Sequence, residues 1–235
     1  MHRIRMIARL AGVFSLLTIV GGVFAQAYVS DRLIDFGDAA ATANNLLANP
    51  GLLRLGYAVY MIEMACQITA TALFYELLKP VNRSVNLVAA FLGLAGCVIK
   101  AVSRVLFVVP LLVLGGGAPY LGVFTAAQRQ ALSLLLLGIN DRGAGMALIF
   151  MGCSTVLTGW LMWRSTFLPR FLGVLGMVSG AGWLTFLYPP LAQRLFLFAA
   201  GLGLLASAVL IVWLLVFGVD ERSWGEQAAA SATVR

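Results

Sequence analysis

Two cations, Lys100 and Arg104, stand one helical turn apart inside the apolar stretch "CVIKAVSRVL" at 97–106. A Lys or Arg at the centre of a membrane helix costs roughly 2.5–3.5 kcal/mol on insertion scales, so two on one segment cost roughly 5–7 kcal/mol. Glu63 is the one acid set deep within an apolar run, and it can offset part of that cost. An ammonium facing a carboxylate in a medium of low dielectric forms an ion pair. Such a pair can fix two helices in register, or hold a proton, an anion or a polar headgroup. Tyr60, Glu63, Gln67 and Thr71 follow i, i+3, i+7 and i+11, which is one helical stripe. Gly96, Lys100, Ser103 and Arg104 make the matching stripe on the other segment. The expected site is therefore a Glu63–Lys100 pair with Tyr60, Gln67 and Arg104 as hydrogen-bonding neighbours. Arg104 is expected either to share Glu63 or to reach outward along its stem to the interface.

The elements that carry these stripes must bring them to equal depth. A tight polar turn, "KPVNRS" at 79–84, separates apolar runs at 52–78 and 85–113. Glu63 precedes Leu78 by the same number of residues as Lys100 follows Val85. At 1.5 Å rise per residue, each lies roughly 22 Å from the turn. An alternative folds 85–99 and 105–115 as two re-entrant arms with Lys100 and Arg104 at their tip. Each arm is too short to span, which favours one broken helix.

The wider composition agrees with a lipid solvent. The chain is 61% hydrophobic and 11% charged, with mean hydropathy +0.96. Soluble domains carry about 25% charged residues. Six apolar runs of spanning length are read at 7–29, 52–78, 85–113, 143–163, 168–188 and 195–219. The first follows "MHRIR" and contains "AQA" at 25–27, which also fits a secretory signal peptide. Its length, and a stripe of Ser15, Thr18, Gly22 and Gln26 suited to helix packing, favour a retained span. Two short outer-side interfacial helices are expected. Asp38 caps one that stops at Asn49-Pro50-Gly51. Thr125 caps the other through a capping box with Gln128, and it ends near Ile139. Asn140-Asp141-Arg142 then reads as a capping turn that opens the fourth span. The fold class is all-α, an integral membrane helical bundle forming one domain over 1–219. The polar tail at 220–235 is expected to be disordered and cytoplasmic.

The net charge is +7, yet the cations punctuate apolar runs rather than cluster on a wetted face, which excludes a nucleic-acid partner. Arg3, Arg5, Arg9, Lys79, Arg83, Arg164, Arg170, Arg222 and Arg235 fall on the side of the termini. Only Arg32, Arg54, Arg129, Arg142 and Arg194 fall opposite. The positive-inside rule places both termini in the cytoplasm, with Trp160 and Trp163 at that interface. Cys66, Cys97 and Cys153 lack metal or disulfide spacing and read as buried thiols. The single histidine, His2, argues against a histidine-held metal or haem. Asp31, Asp35 and Asp38 read as a solvated face rather than a cation site. No phosphate loop, G-x-S-x-G elbow or H-E-x-x-H motif is present, so no catalytic residue, metal ligand or cofactor is expected. Gly176 and Gly180 form a G-x-x-x-G that suits packing within the chain better than a homo-oligomer. The leading functional reading is a transporter or binding protein for a small polar or lipidic ligand. A structural or regulatory component that packs against other membrane proteins is the alternative, and an embedded enzyme is least favoured.

Four blocks, "GDAAATANNLLANPGLLRLG", "LLKPVNRS", "AQRQALSLLLL" and "RSTFLPRFLGVL", occur in an order and spacing that resemble a bacterial family of multi-spanning membrane proteins, domain of unknown function 4386. The resemblance runs from Ala8 to about Gly218 and implies a helical bundle in the bacterial inner membrane. It implies no reaction. Members often carry acids where this chain has Tyr60 and Gln67, and histidines where it has Asn140 and Ser154. Lys100 and Arg104 are departures from the resembled pattern.

Overall fold

The computed structural model describes residues 2–115 and 119–233, and all regular structure among them is helical. The order is α1 (His2–Val23), a π-helical stretch Phe24–Ser30, α2 (Asp31–Leu33), α3 (Ala39–Ala48), α4 (Pro50–Leu78), α5 (Arg83–Val108) and α6 (Pro110–Gly115). A 3₁₀ turn Pro119–Val123 follows, then α7 (Ala126–Arg164), α8 (Arg170–Trp183), a 3₁₀ turn Leu184–Leu187, α9 (Pro189–Val216) and α10 (Glu221–Thr233). Six of these segments are long and apolar enough to cross a membrane. The protein is a multi-spanning membrane protein.

The spanning helices pack in a closed ring, in the order α1, α4, α5, α7, α8, α9 and back to α1. Apolar side chains such as Ile62, Phe91, Val98, Val102, Leu197 and Phe198 are exposed on the ring, as a lipid-facing surface requires. Two apolar clusters close its ends. One joins Ala8, Leu77, Leu78, Leu161, Leu168, Leu214 and Val219, all near the end that carries the termini. The other joins Ala25, Val29, Leu33, Leu46, Leu53, Tyr60, Phe107 and Leu137 at the opposite end.

Local chemistry explains the main joints. Pro50 opens α4 at a position where its missing N–H costs nothing. Asn82 caps α5 by accepting from Val85 N at 3.0 Å, and Asn86 Nδ2 donates back to Tyr75 O at 2.6 Å. These bonds fix the α4–α5 hairpin. Helix α5 runs unbroken through Lys100 and Arg104, so the re-entrant arms do not form; the chain turns only at Val109-Pro110. The glycine run 115–117 marks the end of this span in the sequence; α6 reaches Gly115, and residues 116–118 lie outside the described residues.

Two expectations are corrected. Asp38 does cap α3, accepting from Ala40 N and Ala41 N at 2.9 Å. The helix capped by Thr125 is not a second short one. Its capping box forms, but the helix continues through Asn140-Asp141-Arg142 to Arg164. Tertiary context overrides weak propensity there: Asn140 is buried and bonded to α5, and Gly143 sits directly against Ser103. The second correction concerns the tail, whose residues 221–233 form α10 rather than a disordered segment. Gly218, at φ +70°, ends α9 in the left-handed region. Asp220 then caps α10, accepting from Arg222 N at 3.1 Å and from Ser223 Oγ at 2.6 Å. Trp224 Nε1 donates to Leu77 O at 2.8 Å and docks the helix beneath the bundle. The composition of this segment looks disordered, but its alanines favour helix and one tryptophan anchors it.

Candidate functional site

Inside the ring lies a chamber of about 1270 Å³ lined by residues from all six spans. The stripe Ser15, Thr18, Gly22 and Gln26 faces it from α1 and the adjoining π-helical stretch, and Glu63, Gln67 and Thr71 face it from α4. Lys100 and Arg104 enter from α5, and Ser154 from α7. Polar side chains thus turn inward while the outer surface stays apolar, the reverse of a soluble bundle.

The deep pair forms. Lys100 Nζ donates to Glu63 Oε1 at 2.5 Å. The Glu63 side chain is 5% exposed and that of Lys100 15%. Gly22 makes room for the carboxylate, since a Cβ there would lie 3.3 Å from Glu63 Oε1. The second carboxylate oxygen, Oε2, is buried and has no hydrogen-bond partner in the protein. Lys100 also lies 5.9 Å from the Tyr60 ring centroid.

Arg104 takes neither of its expected courses. It does not share Glu63, and it does not reach the surface. It is buried, with Nη1 donating to Asn140 Oδ1 at 3.1 Å. Its guanidinium carbon stacks 3.6 Å from the Tyr60 ring centroid. A desolvated cation–π contact contributes about 2 kcal/mol, and a hydrogen bond from a charged group about 1.5–3 kcal/mol. These soften the burial of the charge without neutralising it. Arg104 Nε has no partner in the protein.

Tyr60 is the keystone of this corner. Its ring packs edge-on against Phe107, with centroids 5.5 Å apart. Its phenol donates to Gln26 Oε1 at 3.1 Å and lies 3.2 Å from Ser30 Oγ. Gln26 Nε2 in turn donates to Asp31 Oδ1 at 3.1 Å. Both Gln26 and Ser30 lie in the π-helical stretch, whose wider turn re-aims side chains. Tyr60 therefore hydrogen-bonds to the π-helical stretch rather than to the ion pair. Gln67 lines the chamber one turn from Glu63 without a hydrogen bond to either charge.

Sequence reasoning missed Asn140 and Ser30 as partners. Asn140 looked like a cap, and only a continuous α7 turns it inward. Ser154, which also lines the chamber, donates to Ala89 O at 2.7 Å and ties α7 to α5. The carboxylates of Asp35 and Asp38 are engaged in local turns and caps, and among the described residues no group of His, Cys, Asp and Glu has metal-site geometry.

No curated protein and no solved structure matches this chain. A family model does match it, over residues 10–218, a stretch that takes in all of the spanning helices except the start of α1, and every side chain of the chamber just described. The chain belongs to the family described as domain of unknown function (DUF4386).

Proposed function

We propose that the protein binds, and carries across or within the membrane, a small polar or lipidic ligand held in the chamber between the six spans. One observation carries this reading: a ring of helices surrounds a large, half-open cavity whose lining holds a buried ion pair. A bundle that needed only stability would fill that volume with apolar side chains. Ionisable groups inside a membrane bundle mark ligand and ion pathways by default. Glu63 and Lys100 pair with each other, and Tyr60, Gln67 and Arg104 border the space where a ligand would lie. We place the protein in the cytoplasmic membrane of a bacterium with both termini in the cytoplasm, because its cations concentrate at that end.

The test is ligand-dependent thermal stabilisation of the purified full-length protein, screened with lipids, amphiphiles and small anions. Stabilisation by one chemical class, lost in Glu63→Gln/Lys100→Met, supports the reading. A protein that responds to no ligand but co-purifies with a fixed membrane partner is instead a structural or regulatory component. Reporter fusions at each terminus test the orientation.

A further inference from the structure

Building on the binding reading above, we infer that the chamber selects a single-chain amphiphile with a monoanionic headgroup, and that Arg104 is the residue that receives the anion. Charge is the first argument. Glu63 and Lys100 neutralise each other at 2.5 Å. Asp141 and Arg142 also line the chamber, and Asp141 acts electrostatically on Arg104 ahead of Arg142, from beyond 4.0 Å, so the lining's charged groups sum to one positive charge. Whereas Arg142 is exposed, Arg104 is the buried cation of this set that makes no ion pair. Among the described residues no carboxylate lies within 4.0 Å of it. It is 4% exposed, lines the chamber, and holds a buried Nε–H with no acceptor. The lining as a whole is one negative charge short of neutrality, and a buried guanidinium without a contacting carboxylate is costly in a low dielectric. One entering monoanion supplies the missing charge and an acceptor for the free N–H. A planar or tetrahedral oxyanion also suits the fork of a guanidinium.

Shape is the second argument. On α8, the 3₁₀ turn after it and α9 the lining turns largely apolar, with Trp183, Phe186, Phe196 and Leu204. Drug-sized ligands occupy pockets of about 300–1,000 Å³, so a void of about 1270 Å³ has room for a longer hydrocarbon body. The headgroup belongs at α4 and α5, and the chain runs toward α8 and α9. Small inorganic anions would leave the apolar half empty, and headgroups of higher charge would overshoot the single net positive charge.

The probe is 12-bromododecanoate, added to the full-length protein in a neutral maltoside detergent. Its terminal bromine quenches tryptophan fluorescence on contact. Saturable quenching that Trp183→Phe removes is expected, because Trp183 lines the apolar half. Arg104→Gln should weaken binding about tenfold or more, the worth of a charged hydrogen bond. Arg104→Lys should restore part of it. Should Arg104→Gln fail to fold, the uncharged 12-bromododecanol decides on the wild-type protein, since it should bind about tenfold or more weakly than the carboxylate. Competition by unlabelled dodecanoate alone assigns a free carboxylate, and competition by lysophosphatidylglycerol alone assigns a phospholipid-derived ligand. Both outcomes support the inference. Equal binding of the alcohol and the carboxylate, or unchanged binding in Arg104→Gln, overturns it. If only neutral or cationic amphiphiles bind, the inference fails while the binding reading stands. If no ligand of any class binds, both fail.

Discussion

Two seams of the same ring hold their helices together by opposite means. Along α7–α8 the backbones touch. A Cβ at Gly159 would lie 2.7 Å from Gly173 O and Met177 N, and Gly180 presses on Val156 N in the same way. Gly176 and Gly180, the G-x-x-x-G pair, are used up against α7 within the chain. This seam is close-packed, held by van der Waals contact between small residues. Along α4–α5 the helices meet through an ion pair, and the chamber opens beside it. The contrast shows how one bundle separates its tasks. The glycine seam supplies a close-packed wall, and the charged seam supplies chemistry at the cost of a buried polar site.

The largest effect should come from breaking the charged seam on one side only. Lys100→Met leaves the Glu63 carboxylate buried without its partner and should cost about 3–5 kcal/mol. Glu63→Gln combined with Lys100→Met should recover most of that loss in thermal unfolding. A double variant no better than the singles would mean the pair is not what joins α4 to α5. The glycine seam should be next. Gly159→Ala and Gly173→Ala each force two backbones apart, for about 1–3 kcal/mol. Unlike the charged seam, no second substitution across the interface should rescue them, and monodispersity in detergent together with melting temperature checks this.

Smaller effects belong to the terminal latch, which neither seam needs. Trp224→Phe removes the bond to Leu77 O and should cost about 1 kcal/mol. Its sharper readout is faster proteolysis within α10, with ligand binding unchanged. Smallest of all is an acid effect on the same helix. The Ser223 hydroxyl and the Arg222 N–H hold the Asp220 carboxyl below the usual aspartate range. A depressed pKa means the cap contributes fully above the ordinary aspartate value, near 3.9, and fades as pH falls through the folded value. Cleavage of α10 should therefore rise only in strongly acidic buffer, and Asp220→Asn should flatten that profile.

What was legible in the sequence follows from how local each feature is. The hairpin places Glu63 and Lys100 at one depth because two helices of equal rise leave one turn, and counting residues from that turn is enough. The polar stripe of the first span is visible from spacing alone, and it does face the chamber. Arg104 and Asn140 are different. They lie on helices with no short connection between them, so no count along the chain brings them together. The continuity of α7 was hidden because Asn140, Asp141 and Gly143 are poor helix formers whose cost is offset only by packing on α5. The closure of α9 against α1, which turns a bundle into a ring with a void, is likewise a property of three-dimensional packing.

Helix α7 has 39 residues and so extends about 58 Å, nearly twice the thickness of a bilayer's hydrocarbon layer. It is one uninterrupted rod from Thr125 to Arg164, clamped near its far end by glycine contacts and meeting α3 and α6 near its tip. Such a rod works as a lever with a long arm. A swing of about 5° pivoting at Gly159 moves the Thr125 end by about 4 Å, given 1.5 Å of rise per residue. Asn140 beside Arg104 and the Thr125 capping box thus belong to one continuous helix, so a tilt of that helix would move both together.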